Sequence, residues 1–259
     1  MPTIDSHAGG KSMEVPVASA NHVRRLSASV LVAGSVAVGA LLPTSAPAAA
    51  DEQVTLGGGA GIVVDGETYC TLTSIGTDNS GALVGFTSAH CGGPGAQVAA
   101  ESDQDRGVVG TMVAGNDGLD YAVIRFDQAK VNPVANWGGF AIDGIGPDPV
   151  LGQVACKLGR TTGYSCGVTW GPGEEPGTIV NQVCGQPGDS GAPVTVNNKL
   201  VGMIHGAFTD GLPTCIIKYI PLHTPAVTMS MNAILSDLAE KDRPGAGFVP
   251  TSNRAPGPA

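Results

Sequence analysis

Three short segments carry residue types that together could perform nucleophilic catalysis. Gly188-Asp189-Ser190-Gly191-Ala192-Pro193 sets a serine inside a glycine-rich turn. A serine hydroxyl is a weak nucleophile alone, so it needs a base within hydrogen-bond reach and donors aimed at a developing oxyanion. Gly188, two residues ahead of Ser190, lets the backbone turn so that the amides of Gly188 and Ser190 point into one hole. Asp189 between them can hold that turn by an internal ion pair. A plain structural turn is the alternative reading of this segment taken by itself. The elbow Gly-x-Ser-x-Gly is excluded, because Ala192 stands where its last glycine belongs.

A base and an orienting acid are available elsewhere. His90 closes the run Gly85-Phe86-Thr87-Ser88-Ala89-His90-Cys91, and it differs from His205 and His223 in ending an apolar strand beside a cysteine. A disulfide at that cysteine would fix the backbone of a base that must keep one orientation. Asp120 opens the otherwise apolar run Tyr121 to Phe126. An acid buried there unpaired would be costly, and a histidine N–H resolves the cost while holding the tautomer. Asp103, Asp105 and Asp117 read as solvated loop acids. Ser190 as nucleophile, His90 as general base and Asp120 as orienting carboxylate make peptide-bond hydrolysis through an acyl-enzyme the expected chemistry, with no metal or organic cofactor. Activity is expected to rise with pH through the range in which an imidazole loses its proton.

Positioning three distant segments around one cleft requires a rigid scaffold, and the pattern is all-β. Short apolar runs rich in β-branched residues alternate with Gly, Asp and Asn clusters. The expected strands are Ile62–Val64, Thr68–Ser74, Leu83–Ser88, Val108–Val113 and Tyr121–Phe126, then Val150–Lys157, Tyr164–Trp170, Thr178–Val183, Ala192–Val196, Leu200–His205 and Thr214–Ile220. Two such sets suggest two antiparallel barrels or a sandwich. The expected layout is an N-terminal extension and signal over 1–50, a first barrel over 51–137 and a second over 138–223. The connection between the barrels falls in the Pro/Gly-rich 138–149. A helix over 224–242 follows, with Val227, Met231, Ile234, Leu235 and Leu238 on one face, and then a flexible tail over 243–259. The glycine run from Gly57 to Gly61 has the wrong spacing for a nucleotide loop and reads as a turn before the first strand.

The composition narrows the partners. A net charge of −9 with no basic stripe excludes nucleic acid and anionic membranes as natural partners. Arg24-Arg25, the apolar stretch from Leu26 to Leu42 and the small residues Ala46, Ala48 and Ala50 have the order of an export signal, with cleavage before Asp51. The expected product is a secreted or envelope monomer with no stable membrane insertion. Cys70, Cys91, Cys156, Cys166, Cys184 and Cys215 all follow that point. An even count outside the cytoplasm favours disulfides over zinc, since no C-x-x-C occurs, but their pairing stays open on sequence alone.

His90, Asp120 and Ser190 in this order and these contexts resemble the chymotrypsin family of serine proteases, in particular its bacterial streptogrisin and α-lytic branch. The segment Cys156-Lys157-Leu158-Gly159-Arg160-Thr161-Thr162-Gly163-Tyr164-Ser165-Cys166-Gly167 is the most specific match, and the likeness runs from about Cys70 to Leu238. It implies two six-stranded Greek-key barrels with the site in the cleft between them. It also implies the pairs Cys70–Cys91, Cys156–Cys166 and Cys184–Cys215. Lys157 falls where that branch carries an arginine facing the equivalent of Asp189. Ala192 replaces a usual glycine, and His205 replaces a serine that helps hold the aspartate, so His205 could compete with His90 for Asp120. Ile204, His205 and Ala207 are expected to line the substrate pocket and to favour small or medium apolar residues before the cut. A catalytically inactive, exported binding module in the same fold is the competing expectation. The family's long pro-region has no counterpart between Asp51 and Cys70, so folding without one, or with help from elsewhere, is expected.

Overall fold

The computed structural model describes residues 52–209, 215, 217–218 and 220–252. The expected signal over 1–50 and the tail beyond 252 lie outside them. The first half contains β1 (Val54–Leu56), β2 (Gly61–Val64), β3 (Thr68–Thr71), β4 (Ile75–Thr77), β5 (Leu83–Thr87), β6 (Gln97–Ala100), β7 (Val108–Asn116) and β8 (Tyr121–Phe126). Then β9 (Val131–Pro133) runs parallel to β1, and a hairpin of β10 (Asn136–Trp137) and β11 (Phe140–Ala141) leads to the second half. That half contains β12 (Val154–Gly159), β13 (Gly163–Pro172), β14 (Thr178–Asn181), β15 (Pro193–Val196), β16 (Lys199–Ala207) and β17 (Ala226–Ser230), followed by α1 (Met231–Glu240) and β18 (Val249–Pro250).

The fold class is the one expected, with one correction to its first half. The second half is a closed barrel in the order β12-β13-β14-β17-β16-β15. The first is an open eight-stranded sheet, β18-β4-β5-β8-β7-β6-β2-β3, and not a closed six-stranded barrel. Three of its eight strands were not expected: β4, which follows the expected Thr68–Ser74, β6, and β18, which falls in the expected flexible tail. Ala246 and Phe248 are buried, and Val249 and Pro250 pair with Thr77 and Gly76, so 243–252 is folded into the first sheet.

The boundary at 223 also moves. Ala226–Ser230, expected as the start of a helix, is the sixth barrel strand and pairs with both β14 and β16. Val227 and Thr228 are β-branched and suit a strand inserted between two others. The helix begins only at Met231, where the Ser230 side chain accepts from the backbone N–H of Ala233. Thr214–Ile220, the expected last strand, falls partly outside the described residues. Its described positions belong to no strand.

Period-2 alternation along β8 explains how the halves are held. Ala122, Ile124 and Phe126 face a core with Ile62, Leu72, Val98 and Met112. Tyr121 and Val123 face the other way, into a second core shared with Leu200, Met203, Met229, Ile234 and Leu238. A third cluster of Ala155, Val183, Ala192, Val194, Val201 and Ile204 packs within the barrel. The buried Tyr121 hydroxyl donates to Asp237 Oδ2 of α1 at 2.6 Å, and the Arg243 guanidinium donates to the carbonyl of Gly115 at 2.8 Å. The helix expected to clasp the second half therefore also binds the first. Among the described residues, no helix is long and apolar enough to cross a membrane.

Candidate active site

The three candidate residues come from the ends of different elements and meet where the halves face each other. His90 sits in a short 3-10 turn, Ala89–Cys91, directly after β5. The Cys70–Cys91 disulfide ties that turn to β3. Asp120 follows a second 3-10 turn, Asp117–Leu119, and has left-handed backbone angles (φ 41°, ψ 47°) immediately before β8. Aspartate tolerates that region better than most side chains, and such strain concentrates at functional positions. Ser190 lies on the turn between Gly185 and β15.

These placements give a continuous chain of polar contacts. Ser190 Oγ is 2.7 Å from His90 Nε2. His90 Nδ1 is 3.0 Å from Asp120 Oδ1 and 2.9 Å from Oδ2. The His90 backbone N–H also donates to Asp120 Oδ1 at 3.0 Å, fixing the carboxylate to the turn that carries the imidazole. An ionised carboxylate only accepts, so His90 Nδ1 carries hydrogen and Nε2 is left to accept from the serine. Burial alone would raise the Asp120 carboxyl. Hydrogen bonds from His205 and His90 outweigh that and hold it well below the usual carboxylate range.

The turn around Ser190 is anchored on both sides. Thr71 donates its hydroxyl to the Gly188 carbonyl and its backbone N–H to the Ser190 carbonyl, both at 2.9 Å. Gly188 has φ +95°, and a Cβ there would come within 2.4 Å of Thr161 Oγ1, so glycine is required. Among the described residues, neither the Gly188 nor the Ser190 amide is taken by a backbone acceptor.

Asp189 is fully buried and accepts from the backbone N–H groups of Thr161 (3.0 Å), Thr162 (3.2 Å) and Gln186 (3.0 Å) and from the Thr162 hydroxyl (2.6 Å). Lys157 completes the set. Ala192, which replaces the usual glycine, is fully buried in the barrel cluster among apolar neighbours.

A cleft of about 520 Å³ runs past Ser190 and His90. Its wall includes Gln186, Ile204, Gly206, Ala207 and Ala226, and no acid lines it among the described residues. Ile204 and Ala207 lie where expected. His205 does not, and this is a correction. The pairing of β16 with β17 shifts between Ile204 and Gly206, leaving His205 as the extra residue of a bulge. Bulges re-aim side chains. Here the His205 imidazole leaves the cleft wall and places Nδ1 2.6 Å from Asp120 Oδ2. That hydrogen bond raises the affinity of His205 for a proton, burial opposes it, and the charges of Asp120 and Glu175 add to it.

All six cysteines are paired, as Cys70–Cys91, Cys156–Cys166 and Cys184–Cys215. Cys156 and Cys166 face each other across β12 and β13, and Cys184–Cys215 closes a loop beside Gln186.

No family model matches the chain. It is 29% identical over 153 residues to serine protease 1 of Rarobacter faecitabidus, covering 54% of this chain and 29% of that protein. It is 28% identical over 165 residues to serine protease 2 of Streptomyces fradiae, covering 58% of this chain and 94% of that one. The chain thus spans less than a third of the first relative's length and nearly all of the second's. Among solved structures it superposes on an α-lytic protease homolog, N4, with a TM-score of 0.54 and 25% identity, covering 76% of this chain and 99% of that one.

Proposed function

We propose that this relative of the bacterial chymotrypsin-type serine proteases is itself a secreted serine endopeptidase, working through Ser190, His90 and Asp120. The unbroken contact line from Asp120 through His90 to Ser190 Oγ carries the reading. His90 Nε2 takes the proton of Ser190 as its oxygen attacks the scissile carbonyl. Asp120 holds the imidazole in the productive tautomer and faces the imidazolium that forms. The amides of Gly188 and Ser190 receive the oxyanion. His90 then returns the proton to the leaving amine, and water repeats the sequence to release the acyl group.

The apolar residues of the cleft wall, with Ala207 where a glycine would leave more room, support cleavage after small or medium apolar residues, and among the described residues no acid lines the cleft to favour basic ones. Three disulfides support an extracytoplasmic location. A binding module built on the same fold is the competing reading, and the feature that favours it is His205 on the triad carboxylate.

Intact mass after treatment with a serine-directed fluorophosphonate tests the assignment. One adduct is expected, absent in Ser190→Ala and His90→Ala. No adduct in oxidised, folded protein would overturn it.

A further inference from the structure

A titratable side chain outside the three candidate residues touches their carboxylate. His205 Nδ1 and His90 Nδ1 both address Asp120 Oδ2, at 2.6 and 2.9 Å, and the two ring centroids are 6.4 Å apart. We propose that His205 is a positioning residue that must be neutral for turnover, so that its protonation switches acylation of Ser190 off. The proposal rests on the endopeptidase reading above.

Neutral His205 donates one hydrogen bond to Asp120 and leaves the carboxylate its full charge. That charge faces the imidazolium formed on His90 when Nε2 accepts the serine proton. Protonated His205 neutralises Asp120 in advance, and a second imidazolium must then form beside the first with one carboxylate between them. Like charges at this separation disfavour the second protonation.

Three elements bring charged or titratable groups to His205. Asp120 comes from the turn ahead of β8, His90 from the turn after β5, and Glu175 from the loop between β13 and β14. The side chain is 32% exposed, so protons reach it from solvent. The bulge at this position gives the imidazole its aim, which an unbulged strand would direct elsewhere.

The rate of Ser190 modification by a fluorophosphonate, read by intact mass from about pH 5 to pH 9, tests the proposal. Wild type should lose activity on the acid side in two steps, about tenfold per pH unit at first and steepening towards about 100-fold per unit once both rings take up protons. His205→Asn keeps a donor near the Nδ1 position without a titrating ring. It should show a one-proton limb of about tenfold per pH unit and a plateau within about threefold of wild type. His205→Ala should show the same single-proton limb with a plateau lowered about tenfold. An acid limb in His205→Asn with the same midpoint and slope as wild type overturns the proposal.

A second readout does not need turnover. In Ser190→Ala protein, NMR titration of the imidazole Cε1–H signals should show the His90 titration moving when His205 is replaced by Asn. An unmoved His90 titration overturns the coupling whether or not the reagent reacts. Absence of a wild-type adduct at every pH would instead overturn the endopeptidase reading, with the NMR titration still deciding the coupling.

Discussion

Lys157 Nζ lies 3.1 Å from Asp189 Oδ2, and neither side chain has any exposed surface. This buried pair stands directly behind the turn that presents the Gly188 and Ser190 amides. Burial pulls the Lys157 ammonium below its usual proton affinity, with the charge and hydrogen bond of Asp189 resisting. Removing one partner of such a pair leaves an uncompensated charge, which costs about 3–5 kcal/mol. Lys157→Met should therefore lower unfolding free energy by about that amount in urea titrations. Asp189→Ala should in addition abolish acylation, because it strands the amides of Thr161, Thr162 and Gln186.

Asp120 accepts from the His90 ring, the His90 backbone and His205. Asp120→Asn replaces an oxygen acceptor by a donor facing Nδ1 and forces the unproductive tautomer. A fall in kcat of roughly 10⁴-fold is expected, with KM changed little. Steady-state kinetics on a peptide amide would check it, and a loss below about tenfold would contradict the orienting role.

Asp237 links α1 to both Tyr121 and Lys241. Burial would raise its carboxyl, but hydrogen bonds from Lys241, Tyr121 and Asn116 bring it down to about 2. A carboxyl depressed in the folded state stabilises above its unfolded value, near 3.8, and that contribution is lost as pH falls towards 2. Urea midpoints should thus drop between about pH 4 and pH 2 in wild type. Asp237→Asn should be less stable at neutral pH and should show a shallower acid slope.

Ala207 lines the cleft beside Ile204. Ala207→Gly should shift preference towards larger apolar residues before the cut. The ratio of kcat/KM for phenylalanine over alanine substrates should rise by about tenfold, the scale of one methyl group in an apolar pocket. An unchanged ratio would place the specificity pocket elsewhere.

The placement of His90, Asp120 and Ser190 was legible because each stands in a distinctive local context: a strand end beside a cysteine, an acid before an apolar run, and a glycine-rich turn. The disulfide pairing came from family likeness, since spacing alone leaves it open. The aim of His205 was legible in part: family likeness made it a rival of His90 for Asp120, but its departure from the cleft wall left no mark in the sequence. It depends on one shift of register between Ile204 and Gly206, and a bulge leaves no mark on residue pattern. The segment after Arg243 was misread for a related reason. Its Pro/Gly-rich composition describes a chain with little regular structure of its own, whereas its order comes from burying Ala246 and Phe248 against distant residues. Val227 fitted a helical face and lies in a strand, because pairing with β14 and β16 overrides local periodicity.

The pairing of β18 with β4 also dictates an order of events. The edge of β4 comes early among the described residues, and its partner β18 follows every other described strand. Until then the first sheet carries an unpaired edge, the feature most prone to wrong intermolecular pairing. Contacts this far apart in sequence also form slowly. The first sheet therefore cannot cover this edge before Val249 and Pro250 have been made.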